Sequence, residues 1–232
     1  MQDPGLAYFI EATGLDIVDI ISPESTSQHL LQLRDVHDIF FDSYTNVLSE
    51  IEQFRKEATK GSLTRHAWLI LSNEDEVGEI IFHTSHTHKI GVMHFVAMKE
   101  EARQKLRLGW FNTLIESVVL SAQFDLHKDN KELSALIAEI PYEDLPRWER
   151  VGFQFLDVGY VEPFHGRSWK QYGEPQFFPM TPVVKVVPGA AQQSLKQIAV
   201  SALSAFLVEH YDLEPQHPEV ARILSAATLL EG

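Results

Sequence analysis

Gly91-Val92-Met93-His94-Phe95-Val96-Ala97-Met98 runs through Lys99-Glu100-Glu101-Ala102 into Arg103-Gln104-Lys105-Leu106-Arg107-Leu108-Gly109, and then into Trp110-Phe111-Asn112-Thr113-Leu114-Ile115. The first eight residues form an apolar run of strand length. Beyond them, Ala102, Leu106, Trp110, Leu114 and Val118 stand four apart and share a helical face, which Phe111 and Ile115 widen. Between strand and helix lie three cations in five residues, Arg103, Lys105 and Arg107. A helix N-terminus carries unpaired N–H groups and a partial positive charge, so a strand, a basic turn and a helix in series make a seat for a diphosphate. The same residues also describe an ordinary solvated helix start, and the rest of the chain has to decide between the two.

Upstream, Val77 to Phe82 and Gly91 to Met98 read as two strands of a meander, turning around His86 to Lys89. Ala67 to Ser72 is a third strand, joined by the polar connection Asn73-Glu74-Asp75-Glu76. Asp16 to Ile21 is a short strand closed by Ser22-Pro23. Leu30, Leu33, Val36, Ile39, Phe40 and Phe41 place a helix over Thr26 to Tyr44, and a second spans Ser49 to Thr59 with Gly61 as its stop. Residues 1 to 15 have weak helical character. Downstream, Ser134 to Ile140 reads as a buried strand, Leu145 to Val151 as a short helix, and Gln154 to Val161 and Val183 to Val187 as strands. An aromatic loop covers Phe164 to Met180, and it either covers a pocket or packs against the chain's end. Pro188-Gly189-Ala190-Ala191 is a joint. After it come an amphipathic helix carrying Leu195, Ile198, Ala202, Ala205, Phe206 and Val208, and a shorter helix from Pro218 to Leu230. The expected fold is α/β (α+β), a mixed, mostly antiparallel sheet with helices on both faces, with residues 1–188 as the main domain and 189–232 as a helical tail.

The 232 residues are 44% apolar and 22% charged, which is ordinary for a soluble domain. The absence of cysteine excludes a thiol nucleophile and thiolate-bound metals, and favours a reducing compartment. No apolar run reaches about 18 residues, so no membrane partner and a cytoplasmic location are expected. A net charge of −14 argues against nucleic acid as a partner and suits a cationic ligand. Against that acidic background, Lys99 to Arg107 holds four cations and two anions.

Four local sequences carry a resemblance. Gln104-Lys105-Leu106-Arg107-Leu108-Gly109 fits Q/R-x-x-G-x-G/A with Arg107 in place of the middle glycine. Arg147-Trp148-Glu149-Arg150-Val151-Gly152-Phe153 is a short helix ending in Gly-Phe. Ala138-Glu139-Ile140-Pro141 and Tyr160-Val161-Glu162-Pro163-Phe164 complete the set. In this order, from about Asp16 to Pro188, the chain resembles the GNAT superfamily of acyl-CoA-dependent acetyltransferases. It is closest in pattern to a bacterial subgroup with an Ala-Glu-Ile strand and a Tyr-Val-Gln-Pro segment. The turn after Val96 is longer than is usual in the superfamily and lacks its customary proline.

The resemblance implies acetyl-CoA, or coenzyme A carrying another acyl group, as donor, and the amine of a small molecule as acceptor. The CoA pyrophosphate would sit on backbone N–H groups from Gln104 to Trp110, through Lys105, Leu108 and Gly109, with Arg103, Lys105 or Arg107 adding charge. Arg107 either blocks the close approach that glycine permits or grips phosphate itself. A backbone amide near Phe95 or Val96 would hold the thioester oxygen. Glu139 interrupts the apolar run Leu136-Ile137-Ala138 and is the expected base, its alternative being a structural carboxylate bound to a backbone N–H or to Arg147. His94 is the second candidate base, or else a hydrogen-bonded strand residue. Trp148 stands where the superfamily carries its tyrosine acid, and an indole cannot serve as one, which leaves Tyr160 as the substitute.

His83, His86 and His88 read as a polar hairpin tip, and no metal is expected. The apolar stripe of the tail must be covered either by the domain or by a second copy, so a homodimer is one of two arrangements. The replaced glycine and Trp148 also allow an alternative function, a catalytically degenerate GNAT-like module that binds a ligand or a protein.

Overall fold

The computed structural model describes residues 3–44, 46–56, 62–106, 109–189 and 193–230. Nine strands are described: β1 (Asp16–Asp19), β2 (Leu63–Ser72), β3 (Asp75–Ser85), β4 (Ile90–Met98), β5 (Ala135–Ile140), β6 (Gln154–Phe155), β7 (Val161–Pro163), β8 (Phe177–Pro179) and β9 (Thr181–Val186). Seven of them form one sheet in the order β1-β2-β3-β4-β5-β9-β6, and β7 and β8 form a separate ribbon. In the main sheet every neighbouring pair is antiparallel except β4 and β5. The period-2 alternation of side chains sorts each strand between two cores. In β2, Trp68 and Ile70 face one side and Ala67, Leu69 and Leu71 the other.

The first side carries α1 (Pro4–Thr13), α5 (Trp110–His127) and the short α6 (Leu145–Glu149). Phe9, Leu114, Ile115, Val118 and Ala122 pack there on Phe82, Met93, Leu136 and Ala138. The second side is covered in two halves. Helices α2 (Ser27–Phe40) and α3 (Val47–Lys56) lie over the β1–β3 half, where Leu33, Val36 and Ile51 meet Leu69 and Ile81. Helix α7 (Leu195–Ser204), a π-helical turn (Ala205–His210) and α8 (Pro218–Ala227) lie over the β4–β5–β9 half. Ile198, Ala202, Phe206 and Ile223 are completely or almost completely buried there against Ile90, Val92, Ile137 and Val184. The tail's apolar stripe is therefore covered by the chain's own sheet. The seam between these two helical groups is where the cavity opens. Among the described residues, no helix is long and apolar enough to cross a membrane.

Several elements differ from the sequence expectation. The lead-in is a full helix, α1, started by Pro4 and by the Asp3 carboxylate, which accepts from the Gly5 N–H at 2.8 Å. Strand β1 ends at Asp19 because that carboxylate turns back to accept from the Ile21 N–H at 3.0 Å. Helical structure begins right after Lys99, the earliest start the sequence allows, but as a separate short helix, α4 (Glu100–Lys105), which takes in Arg103 to Lys105 and whose acids stand in its first turn and its bases in its last. The expected strand over Gln154 to Val161 is broken. β6 stops at Phe155, Gly159 turns the chain at φ 58°, and β7 leaves the main sheet to pair with β8. The aromatic loop thus holds half of a two-stranded ribbon and a 3₁₀ turn (Gly166–Tyr172). The end of the second helix at Thr59-Gly61, the joint at Ala190-Ala191, and Arg107 and Leu108 lie outside the described residues.

Candidate active site

The parallel ladder between β4 and β5 runs from Ile90–Ala135 to Met93–Ala138 and stops there. Both strands continue, β4 for five more residues and β5 for two. Where β4 turns away, it carries a bulge: Phe82 opposes Met93 and Ile81 opposes Phe95, leaving His94 as the extra residue. Beyond Met93, no strand pairs with the β5-facing edge of β4 among the described residues. The split leaves backbone N–H and C=O groups free for a ligand. It places Glu139 just past the last ladder pair, on the same face as Ala135 and Ile137.

A cavity of about 330 Å³ occupies this face. Phe40 and Phe41 at the end of α2 border it, with Glu50 and Phe54 of α3. Arg65, His83, His94 and Phe95 come from the sheet, Glu139 from β5, Glu162 from β7, and His210 and Tyr211 from the end of the tail helix. The Tyr211 N–H bonds the Phe206 carbonyl at 3.0 Å. A π turn of this kind is wider than an α turn, and here it brings two consecutive side chains, His210 and Tyr211, to the cavity wall. The aromatic segment both packs on the tail and closes the cavity. Trp169 Nε1–H donates to the Tyr211 carbonyl at 2.8 Å, and Ser168 donates to Glu50 at 2.5 Å, while His165 and Gly166 line the wall.

Two carboxylates dominate the electrostatics. Tyr160 donates its hydroxyl to Glu139 Oε2 at 2.7 Å, and the Tyr211 hydroxyl donates to Glu139 Oε1. Burial first, and then the nearby Glu162 carboxylate, push the Glu139 carboxyl well above the usual carboxylate range. Burial lifts Glu162 to about 7, although the Tyr44 hydroxyl, donating at 3.0 and 3.2 Å to its two oxygens, opposes that shift. Burial, with the charge of Glu162, also raises Tyr44 above its ordinary value. Two facing carboxyls with raised proton affinity, Glu162 at about 7, can exchange a proton with an ammonium ion or bind one.

The residues singled out in the sequence fall into two groups. Glu139, Tyr160, His94 and Phe95 come together on the cavity side. Glu139, His94 and Phe95 line the cavity, whereas Tyr160 stands behind Glu139, 3% exposed in the tail-side core. Arg147, the alternative partner for Glu139, instead lies over the Phe111 ring at 4.5 Å on the opposite face of the sheet. Val96 is half-buried against the α5 core, Arg103, Gln104 and Lys105 end α4, and Gly109 and Trp110 begin α5. Gly109 caps that helix at φ 101° with no side-chain cap. Gln104 is spent on Glu100 at 3.0 Å. Arg103 is half-buried and its Nε has no partner. Burial, followed by the neighbouring charges of Arg103 and Arg150 against that of Asp144, lowers Arg147 from its ordinary value. Trp148, on α6, is core, edge-on to Phe111 and Phe153.

Sequence reading missed Tyr44, Glu162, His210 and Tyr211. For Glu162 a signal existed, a carboxylate where the resembled segment carries glutamine. His83 was seen, but in the wrong company. His86 is bound to Asp129 at 2.7 Å and to Thr64 at 2.8 Å, while His83 joins His94 and His210.

No protein-family model matches the chain, and no curated protein is similar to it in sequence. Solved structures do resemble it. A structure from Bacteroides thetaiotaomicron described as an acetyltransferase of the GNAT family is 14% identical, covers 85% of this chain and 99% of its own, and superposes with a TM-score of 0.51. A GNAT-family acetyltransferase structure from Staphylococcus aureus is 11% identical, with 74% and 98% coverage and a TM-score of 0.48. One described as an acetyltransferase from Streptococcus agalactiae is 18% identical, with 75% and 99% coverage and a TM-score of 0.47. The strand order, the split after Met93 and the near-complete alignment with the Bacteroides structure agree: this chain has the GNAT fold.

Proposed function

We propose that this protein moves an acyl group, acetyl in the simplest case, from coenzyme A to the amine of a small molecule. The observation that carries the reading is the split between β4 and β5. At one end it meets the uncapped start of α5, and on its far side it meets a cavity holding two carboxyls. The donor's phosphates would rest on the N–H groups at the start of α5, with charge from Arg103, whose Nε has no hydrogen-bond partner, and from Arg147 beside Asp144. The acyl arm would lie along the free edge of β4, with a backbone N–H near Phe95 or Val96 receiving the thioester oxygen.

In this reading Glu139 takes the proton from the acceptor's ammonium group. The freed amine attacks the thioester carbon, the C–N bond forms, the C–S bond breaks, the departing thiolate takes a proton from a tyrosine hydroxyl, and the second proton of the attacking nitrogen returns to that tyrosine oxygen as the amide forms. Tyr211 is at the cavity wall and suits that last role better than Tyr160, which instead holds Glu139 in place. The aromatic wall of Phe40, Phe41, Phe54 and Phe95 beside two carboxyls suits an acceptor with an amine on an apolar body.

Calorimetric titration with acetyl-CoA at neutral pH and moderate salt tests the donor half. Micromolar binding is expected, followed by turnover in a screen of amines. Absence of binding up to millimolar donor would remove the acetyl-CoA reading. A second reading, a ligand-binding module of the same fold without catalysis, is favoured by Trp148, which fills with core the position where a tyrosine acid is expected. Tight donor binding with no turnover on any amine would select it.

A further inference from the structure

His83, His94 and His210 reach one point of the cavity from three elements: β3, the bulge in β4, and the π turn. One ring nitrogen of each lies within 4.8 Å of the other two. His83 Nδ1 is 2.8 Å from His94 Nε2, and the His94 and His210 ring centroids are 3.6 Å apart. His83 Nε2 and His94 Nδ1 are buried without a hydrogen-bond partner. Among the described residues no carboxylate bonds to any of the three rings, so they are not the usual histidine held by an acid. Buried polar nitrogens left unsatisfied are costly, and a native site that carries this cost calls for a ligand.

We propose that these three histidines bind a divalent first-row transition metal, with Zn²⁺ as the type ion, and leave a coordination position open to the cavity. Imidazole nitrogen suits zinc, copper, nickel and iron rather than magnesium or calcium. Three histidines and one open position is the ligand count of a zinc site that exchanges ligands. Zn–N bonds of about 2.0–2.1 Å in a tetrahedron put ligand nitrogens about 3.3 Å apart, inside the observed spread. The ring planes lie within 24° of one another, so the lone pairs lie in nearly parallel, stacked planes rather than converging on one point. Loading the metal therefore turns at least two rings about their Cβ–Cγ bonds and breaks the His83–His94 hydrogen bond. The carboxyls of Glu50, Glu139 and Glu162 stand on the same cavity wall, and the charges of Arg65 and Arg167 oppose a cation there. The open position would take water or a nitrogen or oxygen donor of whatever small molecule enters.

The test uses the untagged full chain, stripped by chelator and dialysed, with no acyl donor present, so its outcome is independent of the acyl-transfer reading. ZnCl₂ is titrated by calorimetry, and CoCl₂ is followed by visible absorption. One equivalent bound at micromolar or tighter affinity is expected, with the intense d–d bands of four-coordinate cobalt. Binding should be lost in His83→Ala and in His210→Ala and retained in His88→Ala, whose ring lies outside the cluster. The cobalt spectrum of the unaltered protein decides the matter even if the variants fail to fold. No stoichiometric binding by the folded wild-type chain, or binding that survives the double variant His83→Ala/His210→Ala, overturns the proposal.

Discussion

Glu139 owes part of its proton affinity to Glu162. A lone carboxyl at the end of β5 would have its proton affinity raised by burial only. With Glu162 facing it, a second negative charge raises that affinity further. Two outcomes follow for the proposed reaction. Glu139→Gln keeps the shape and the tyrosine partners but removes the base, so kcat should fall by about 10²–10⁴-fold with acetyl-CoA affinity unchanged. Wild-type turnover in that variant would take Glu139 out of the role. Glu162→Gln removes the charge that helps to raise Glu139, so the acidic limb of the kcat/KM profile should move to lower pH, and an unmoved limb would break the coupling argument. The same substitution tests stability. The Glu162 carboxyl has a folded value of about 7 against its ordinary 4.5, so the fold prefers it protonated. Its contribution is present in full below about pH 4.5 and is lost as pH rises through 7. Denaturant unfolding at pH 8 should find Glu162→Gln more stable than wild type, by on the order of 1–3 kcal/mol.

At the scale of elements, one buried cluster ties β1, β2 and α5 together. His66 Nδ1 is 2.7 Å from Asp19 Oδ2, and His66 Nε2 is 2.9 Å from Asp125 Oδ2, to which Thr84 also donates at 2.9 Å. Burial alone would push the imidazole down, but Asp19 and Asp125 overcome it and lift His66 to about 10. Its stabilisation is therefore complete below the ordinary value of 6.5 and disappears as pH climbs through about 10. Asp125, lowered from 3.8, contributes above that pH and is lost on acidification. Chemical denaturation from pH 6 to pH 10 should show stability falling steadily in wild type. The slope should be much flatter in His66→Ala, which is itself weaker at pH 6 by about 1–3 kcal/mol, because Asp19 and Asp125 lose the imidazole and Asp125 keeps only Thr84 and Lys128. None of this cluster was legible in the sequence, since Asp19, His66 and Asp125 gain meaning only when the sheet and α5 bring them together. What was legible had a period. The β2–β3–β4 meander and α5 announce themselves by alternation of two and spacing of four, and the strand-to-helix passage at Met98–Trp110 pointed to the fold. Glu139 could be singled out because it breaks an apolar run. Its partner Tyr211 could not, because that contact spans 72 residues, and Glu162 showed only as a carboxylate in place of glutamine, its facing of Glu139 across two sheets being invisible in the sequence. The bulge that frees His94 and the π turn that swings His210 inward are departures from periodicity, which pattern reading passes over.

Taken as one object, the molecule closes its site with its own end. The tail contributes His210 and Tyr211 to the cavity and Phe206, wholly buried, to the core that backs it. On that face the sheet presents Ile90, Val92, Ile137 and Val184, and without α7, the π turn and α8 those side chains would meet water. Truncating one buried phenylalanine to alanine costs about 3–5 kcal/mol, set against a whole-domain stability of about 5–15 kcal/mol. Phe206→Ala should therefore lower the denaturation midpoint sharply while leaving a folded protein. A chain ending at Pro188, which loses Ile198, Ala202, Leu203, Phe206 and Ile223 at once, should fail to unfold cooperatively and should aggregate. The readouts are the steepness of the urea transition and the state of association in sedimentation. A truncated chain that unfolds in a single sharp transition would mean that the GNAT sheet stands alone and that the tail is a detachable cover. In that case Glu139 should keep its partner Tyr160 and lose Tyr211 alone, and the altered pH profile of any remaining turnover would isolate what Tyr211 contributes.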